Sequence, residues 1–256
     1  MQNLDIAKFG GTSVANYEAM SKCVQVVTQN PNTKLVVVSA CAGVTNLLVE
    51  LASGAHDTTK REEIIAQVFA IHKAIFDKLP DSAKHEAVIN EYLSVVRDLA
   101  VQATMTRTDM ITDRLVSHGE LMSSYLITEI FKAECFDVRQ VMRTDSTYGK
   151  AVALVEVIST LSKQLLQPIL DKEDTIVVTQ GFIGADSSGQ TTTLGRGGSD
   201  YSAALLGEAC HAKTISIWTD VPGVYTTDPR LVPQAMPISE LTYLEAAEMA
   251  TFGAKI

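Results

Sequence analysis

The stretch LDIAKFGGTSVANYEAMSKCVQVVTQNPNTKLVVVS, residues 4–39, decides the fold. Residues 4–9 read as a short strand that ends in Gly10-Gly11. A helix then runs from Thr12-Ser13 to about Gln29. Leu35 to Ser39 (LVVVS) is a continuous apolar run bounded by Pro31 and Asn32, and such a run suits a strand buried on both faces. Strand, helix and strand in that order make a β-α-β unit, so an α/β fold on a mainly parallel sheet is the natural reading.

Working outward, residues 44–54 look helical. Thr59-Lys60-Arg61-Glu62 has the S/T-x-x-E pattern of a capping box and opens a helix to about Leu79. Ile65, Val68, Phe69, His72, Ile75, Phe76 and Leu79 recur along it at helical spacing. Leu79-Pro80-Asp81-Ser82 breaks that helix, and Ser82 caps another that runs to about Thr104. The pair reads as a helical hairpin attached to the sheet. Residues 109–133 are largely helical, with an interruption near Ser117-His118-Gly119-Glu120. Asp137 to Met142 reads as a strand, 151–171 as a long amphipathic helix, and Thr175 to Thr179 (TIVVT) as a second buried strand. Residues 181–184 and 191–193 flank the turn Asp186-Ser187-Ser188-Gly189 as a β-hairpin. A helix to Cys210 and a strand from Thr214 to Trp218 follow. Residues 219–239 are loop-rich, and Ser239 starts a last helix that Gly253 ends.

The chain has 256 residues, enough for one large α/β domain or two small lobes sharing a core. Its net charge of −9 argues against a broad nucleic-acid surface and against binding to an anionic membrane. A small anionic ligand needs only a few local cations. Cys23, Cys41, Cys135 and Cys210 stand far apart with no CxxC pair, which points to reduced structural thiols in a cytoplasmic protein. The N-terminus MQNLDIAKFGG lacks the basic and apolar regions of a signal peptide, and no apolar run is long enough to span a bilayer. His72 falls on the apolar side of its helix and reads as a packed histidine. His56 and His85 have no His, Cys or carboxylate at ligand spacing, so no metal cage built by the protein is expected.

Two strand–glycine–helix junctions carry the chemistry. TTTLGRGGSDYSAALL, residues 191–206, places Gly195-Arg196-Gly197-Gly198-Ser199-Asp200 just ahead of an apolar helix. Glycines there let the backbone approach a ligand, the first helical turn offers N–H donors to an anion, and Arg196 adds a planar fork suited to carboxylate or phosphate. A turn capped by Ser199, with Asp200 complementing the helix dipole, explains the same residues without a ligand. The second junction is Lys8-Phe9-Gly10-Gly11-Thr12-Ser13. Lys8 precedes the glycines, so this is no Walker A loop. At the carboxyl end of a parallel strand, Lys8 points into the crevice where open α/β sheets bind ligands; otherwise it simply reaches solvent. Together the junctions could clamp a polyphosphate and a small acid, an inventory that fits phosphoryl transfer.

Two further segments join them. Residues 218–230, WTDVPGVYTTDPR, hold a carboxylate, hydroxyls, an aromatic and an arginine in one loop, a set able to hold a nucleotide or simply to form a well-capped surface turn. Glu120 is either the third residue of a capping box begun by Ser117 or a carboxylate that binds an ammonium group.

These stretches together resemble the aspartokinases of the amino acid kinase family. The matching residues are KFGGTSV (8–14), VVVSACAGVTNLL (36–48), SHGELMS (117–123), GFIG (181–184), TTTLGRGGSDYSAALL (191–206), WTDVPGVYTTDPR (218–230) and AAEMATFGAK (246–255), in order over essentially the whole chain. The wording is most similar to the lysine-sensitive, single-function type. The resemblance implies a three-layer αβα sandwich with an inserted helical hairpin. Residues 1–180 would be mainly an amino-acid-binding lobe and 181–256 a nucleotide-binding lobe that is incomplete at its C-terminal end. It implies ATP-dependent phosphorylation of the β-carboxylate of L-aspartate to 4-phospho-L-aspartate, the first step toward lysine, methionine and threonine.

Residue by residue, the resemblance implies that Lys8, Gly10 and Gly11 cradle the transferred phosphoryl group. Ser39 and Thr45 lie near the aspartate, Glu120 takes its ammonium and Arg196 its α-carboxylate. Ser199 and Asp200 order the substrate and the phosphate-side loop, and Lys8, Arg196 and Asp200 form the catalytic set. Thr219, Asp220, Tyr225 and Arg230 hold ATP, with Lys255 on its phosphates. Mg²⁺ is held mainly by phosphates and water. The sequence stops at Ile256, one residue past the matched Lys255, while family members continue through the rest of the kinase domain and paired ACT regulatory domains. Lysine feedback is not expected from these residues, and a homo-oligomer is left open. Glutamate and acetylglutamate kinases, and a non-catalytic nucleotide- or anion-binding module, are the alternatives. A dinucleotide oxidoreductase is disfavoured, because no G-x-G-x-x-G follows a strand.

Overall fold

The computed structural model describes residues 3–221, 223–228 and 231–251. The chain divides into two compact units, Met1–Trp218 and Thr219–Ile256. The first is built on a five-stranded sheet in the order β3-β4-β2-β1-β7. Its strands are β1 (Asp5–Phe9), β2 (Thr33–Val38), β3 (Glu134–Phe136), β4 (Val177–Gln180) and β7 (Thr214–Trp218), and every neighbouring pair is parallel.

Side-chain alternation along these strands feeds two cores. Ala7, Phe9, Val36, Val38 and Val178 face one layer of helices; Ile6, Leu35, Val37 and Val177 face the other. Because both faces are covered, LVVV reads as an unbroken apolar run instead of an alternating one. The first layer holds α1 (Tyr17–Thr28), α2 (Val44–Ala52), α3 (Thr58–Phe76), α4 (Ser82–Met105) and α5 (Asp109–Phe131). The opposite layer holds α6 (Val155–Leu161), a π-turn at Ser162–Leu166, α7 (Gln167–Leu170) and α8 (Gly198–Ala209). An antiparallel ribbon of β5 (Ile183–Ala185) and β6 (Thr191–Thr193) leads into α8. The three-layer αβα reading, with α3 and α4 as its hairpin, is what the structure shows.

Several local expectations give way. The helix from Thr12 is a 3₁₀ turn over Gly11–Val14, and then α1, capped separately by Asn16. Asp57, not Thr59, caps α3 by accepting from Lys60 N at 2.8 Å. Ser82 is the first residue of α4 and donates to Asp77, while Asp81 occupies the cap position at φ +56°. The strand expected at 137–142 lies earlier, at 134–136, because Asp137 caps a 3₁₀ turn through Arg139 N. The long helix at 151–171 begins at Val155 and passes through the π-turn just ahead of Pro168, whose missing N–H and ring interrupt the regular ladder.

In the second unit, Thr226 N donates to Met236 O and Ile238 N to Val224 O, forming a short ladder. Its helix α9 (Tyr243–Thr251) starts after Ser239, at a reciprocal cap: Thr242 N donates to Glu245 Oε2 and Glu245 N to Thr242 Oγ1. Gly253, the expected stop, lies outside the described residues. No described helix is long and apolar enough to cross a membrane, and all four cysteines are free thiols.

Candidate functional site

At the carboxyl ends of β1 and β2 the structure opens a cavity of about 620 Å³. Its wall brings together Lys8, Gly11, Ser39, Thr45, Glu120 and Arg196, with Ser199 and Asp200 beside them. These residues come from four separate segments of the first unit.

Lys8 sits on β1 opposite Val37 and Ile217, on the same face as Ile6, and is only 7% exposed. Its Nζ stands 2.5 Å from Asp200 Oδ1, in the first turn of α8. The ammonium is therefore sheltered by the sheet and already paired across the cavity. Gly10 N donates to Trp218 O, and the chain then turns into the 3₁₀ segment with Gly11 packed beside Ala40 O.

The Arg196 loop is built differently. Gly195 and Gly197 adopt φ of +77° and +74°, values that a side chain strains. Gly197 is the N-cap of α8 and supplies no side-chain bond, so the expected Ser199 cap is not formed. Ser199 packs instead beneath Gly181, where an added Cβ would stand 2.8 Å from its own. Arg196 is exposed and has no ion-pair or hydrogen-bond partner among the described residues.

At Glu120 the capping-box reading gives way. Helix α5 runs through 117–120 without the expected interruption. Ser117 Oγ donates to Arg114 O, so Ser117 is no cap. Gly119 is what allows the helix to pass: a Cβ there would lie 2.8 Å from Ala40 Cβ. That close approach lets Glu120 Oε1 accept from Ala40 N at 3.3 Å. Oε2 is buried with no hydrogen-bond partner, and Glu120 as a whole is 3% exposed. Burial lifts its carboxyl to about 8. A buried acceptor on a cavity wall with one oxygen unmatched is an apt seat for a cationic group. Ser39 is fixed from the same helix, since Ser123 Oγ donates to Ser39 O at 2.7 Å.

Of the nucleotide-side residues, Thr219, Asp220 and Tyr225 lie in the second unit. Thr219 Oγ1 donates to Asp220, and Tyr225 bridges to Pro237. Arg230 and Lys255 lie outside the described residues.

Sequence reasoning missed Asp113, Phe182 and Gly149. Phe182 lines the cavity in the left-handed region, φ +70°, unusual for an aromatic. Its N–H is bound by Ser202 Oγ and its carbonyl by Leu194 N. Asp113 is a fully buried carboxylate on α5; only the fold brings its partners together. The histidines are structural: His72 Nδ1 donates to Val68 O, and His85 bonds Tyr125 and Pro80. His56 does have a carboxylate neighbour, Glu50 at 3.3 Å, through the end of α2. No three His, Cys, Asp or Glu side chains converge among the described residues.

Comparison with known proteins gives a consistent result. The amino acid kinase family model matches residues 4–256. The chain is 48% identical over 263 residues to lysine-sensitive aspartokinase 3 of Escherichia coli, covering 100% of this chain and 58% of that protein. It is 36% identical over 254 residues to an aspartokinase of Chlamydia trachomatis, covering 98% and 56%. A crystal structure of the E. coli aspartokinase III in complex with aspartate and ADP superposes with a TM-score of 0.94 at 47% identity, covering 98% of this chain and 57% of that one. The chain thus spans a little over half the length of the curated relatives it matches.

Proposed function

We propose, from the premise that this chain belongs to the amino acid kinase family, that it carries the acceptor side of an aspartate kinase. The reaction is transfer of the γ-phosphoryl group of ATP to the β-carboxylate of L-aspartate. The observation that carries the reading is the cavity wall, where a sheltered ammonium, a guanidinium unpaired among the described residues and a buried carboxyl with an unmatched oxygen face one space. Those three groups complement an acceptor bearing a phosphorylatable carboxylate, an α-carboxylate and an α-ammonium.

In this scheme Arg196 takes the α-carboxylate by its two-pronged fork and Glu120 the ammonium, with Ser39 and Thr45 bordering the chain between. The acceptor carboxylate is ionised near neutrality, so no general base is required. Its oxygen forms the new P–O bond while the β,γ-bridging P–O bond breaks and ADP leaves. Lys8, already aligned on β1, and the backbone of Gly11 neutralise the charge spread over the moving phosphoryl, while Gly10, its N–H held by Trp218 O, shapes the turn. Asp200 holds Lys8 in place until phosphate oxygens compete for it. Thr219, Asp220, Tyr225, Arg230 and Lys255 are proposed to hold the nucleotide. Mg²⁺ is proposed to be carried mainly on phosphate and water, in keeping with its reluctance to dehydrate, and there it would supply neutralising charge to the phosphates. Cytoplasmic placement is part of the proposal, supported by the free cysteines.

A hydroxamate assay with ATP and L-aspartate, L-glutamate or N-acetylglutamate, on this chain and on longer forms, tests the reading. Aspartyl hydroxamate alone is the expected product. A preference for N-acetylglutamate would overturn it, since that substrate has no ammonium for Glu120. No product from any acid by any form would favour a non-catalytic binding module.

A further inference from the structure

We propose that Asp113 is a positioning residue that ties the Arg196 loop to the helix carrying Glu120, and so sets the span between the two groups that grip the amino acid. The inference rests on the substrate reading above. Asp113 and Glu120 stand seven residues apart on α5. That is about two helical turns, roughly 10 Å along one face.

Asp113 is 1% exposed. Its Oδ2 accepts from Gly149 N and from Thr193 N, each at 2.9 Å, and Oδ1 from Thr193 Oγ1 at 2.8 Å. Thr193 ends β6, and only Leu194 and Gly195 separate it from Arg196. Gly149 itself lines the cavity, at φ +81°, and its carbonyl backs Gly195 closely enough that a Cβ there would stand 3.3 Å away. Ala151 N donates to Thr193 O at 2.8 Å, which joins the 145–151 loop to β6. The Asp113 carboxylate joins both to α5. Burying a carboxylate against neutral donors is an expensive way to hold two loops together. What the carboxylate provides, and an apolar contact would not, is direction: three donors converge on one point of one helix.

Hydrogen exchange of the wild-type chain, Asp113→Asn and Thr193→Val, together with calorimetric titration of L-aspartate, tests this. Asparagine turns a donor toward donors, and valine removes one bond at constant shape, so the second variant carries the test if the first does not fold. The expected result is at least tenfold faster exchange at 146–152 and 191–197, with β1 and β2 unchanged and aspartate at least tenfold weaker. In an Arg196→Ala background the same variants should weaken aspartate no further, which a merely structural defect would not reproduce. Exchange within twofold of wild type, or faster exchange with unaltered aspartate affinity, overturns the proposal. If wild type binds no aspartate yet exchange responds as expected, the clamp stands and the substrate reading fails.

Discussion

The two glycine junctions look alike in sequence and differ in the folded chain. At 8–13 the cation rides on an inner strand, is buried, and meets a carboxylate at 2.5 Å. Its glycine is packed: a Cβ on Gly11 would lie 3.0 Å from Ala40 O. At 195–200 the cation rides on a loop, is exposed, and is unpaired among the described residues. Gly195 and Gly197 are there for backbone sign, and a Cβ on Gly197 would meet nothing within 4 Å. The strand junction is preset before any ligand arrives. The loop junction spends the N–H groups of Gly198 and Asp200 within its own turn, leaves the Arg196 guanidinium exposed, and depends on other segments for its position. In the proposed reaction, rigid placement would suit Lys8 facing the moving phosphoryl, and a ready fork would suit Arg196 capturing the acceptor.

The largest expected break in this comparison is Lys8→Ala. Turnover should fall roughly 10³-fold with aspartate affinity nearly unchanged, as for loss of a transition-state cation; single-turnover kinetics with separate calorimetry will show it. Arg196→Ala should do the reverse, weakening aspartate about 10- to 100-fold, the scale of a charge-assisted pair, without moving the melting temperature. If Arg196→Ala also melts early, the loop junction is structural and the contrast collapses.

Glu120, between the two junctions, sharpens it through pH. Its carboxyl is lifted to about 8 from 4.5, so the empty folded chain holds a proton that the unfolded chain releases. The stability contributed by that proton is complete below 4.5 and is lost as pH rises through about 8. Urea midpoints should fall across that window, and Glu120→Gln should flatten the fall. Ammonium binding needs the ionised form, so aspartate affinity should climb toward pH 8, by up to about tenfold per unit. The smallest effect separates the glycines. Gly197→Ala should cost about 1 kcal/mol by backbone sign alone, and Gly197→Asn less. At Gly11 asparagine should give no such relief over alanine, because the obstacle is Ala40 O; denaturant titration of the four variants decides.

The sheet and hairpin were legible because buried parallel strands and long amphipathic helices leave strong periodic marks. Capping was not. Asp57, Thr58 and Thr59 all make plausible caps, and only backbone geometry selects Asp57. Gly119 reads as a breaker, since glycine weakens a helix, yet here it is the contact that lets α5 reach Ala40. Lys8, Glu120 and Arg196 could be named from motif and resemblance. Asp113 could not, because nothing local in TDMITDR distinguishes it from a charge near a helix start; its partners lie 36 and 80 residues away.

One feature of the sheet bears on how the protein is made. β1 pairs with β2 at once, but its other edge waits for β7, with Asp5 opposite Thr214. Lys8 likewise meets its partner only once Asp200 has been made. While the chain is being made, β1 must therefore keep one flank open until residues 214–218 emerge. Inner strands carry none of the devices that protect natural edges. A nascent chain with such an open flank is a natural client for chaperones, and its cavity closes only once the 195–200 loop has been made.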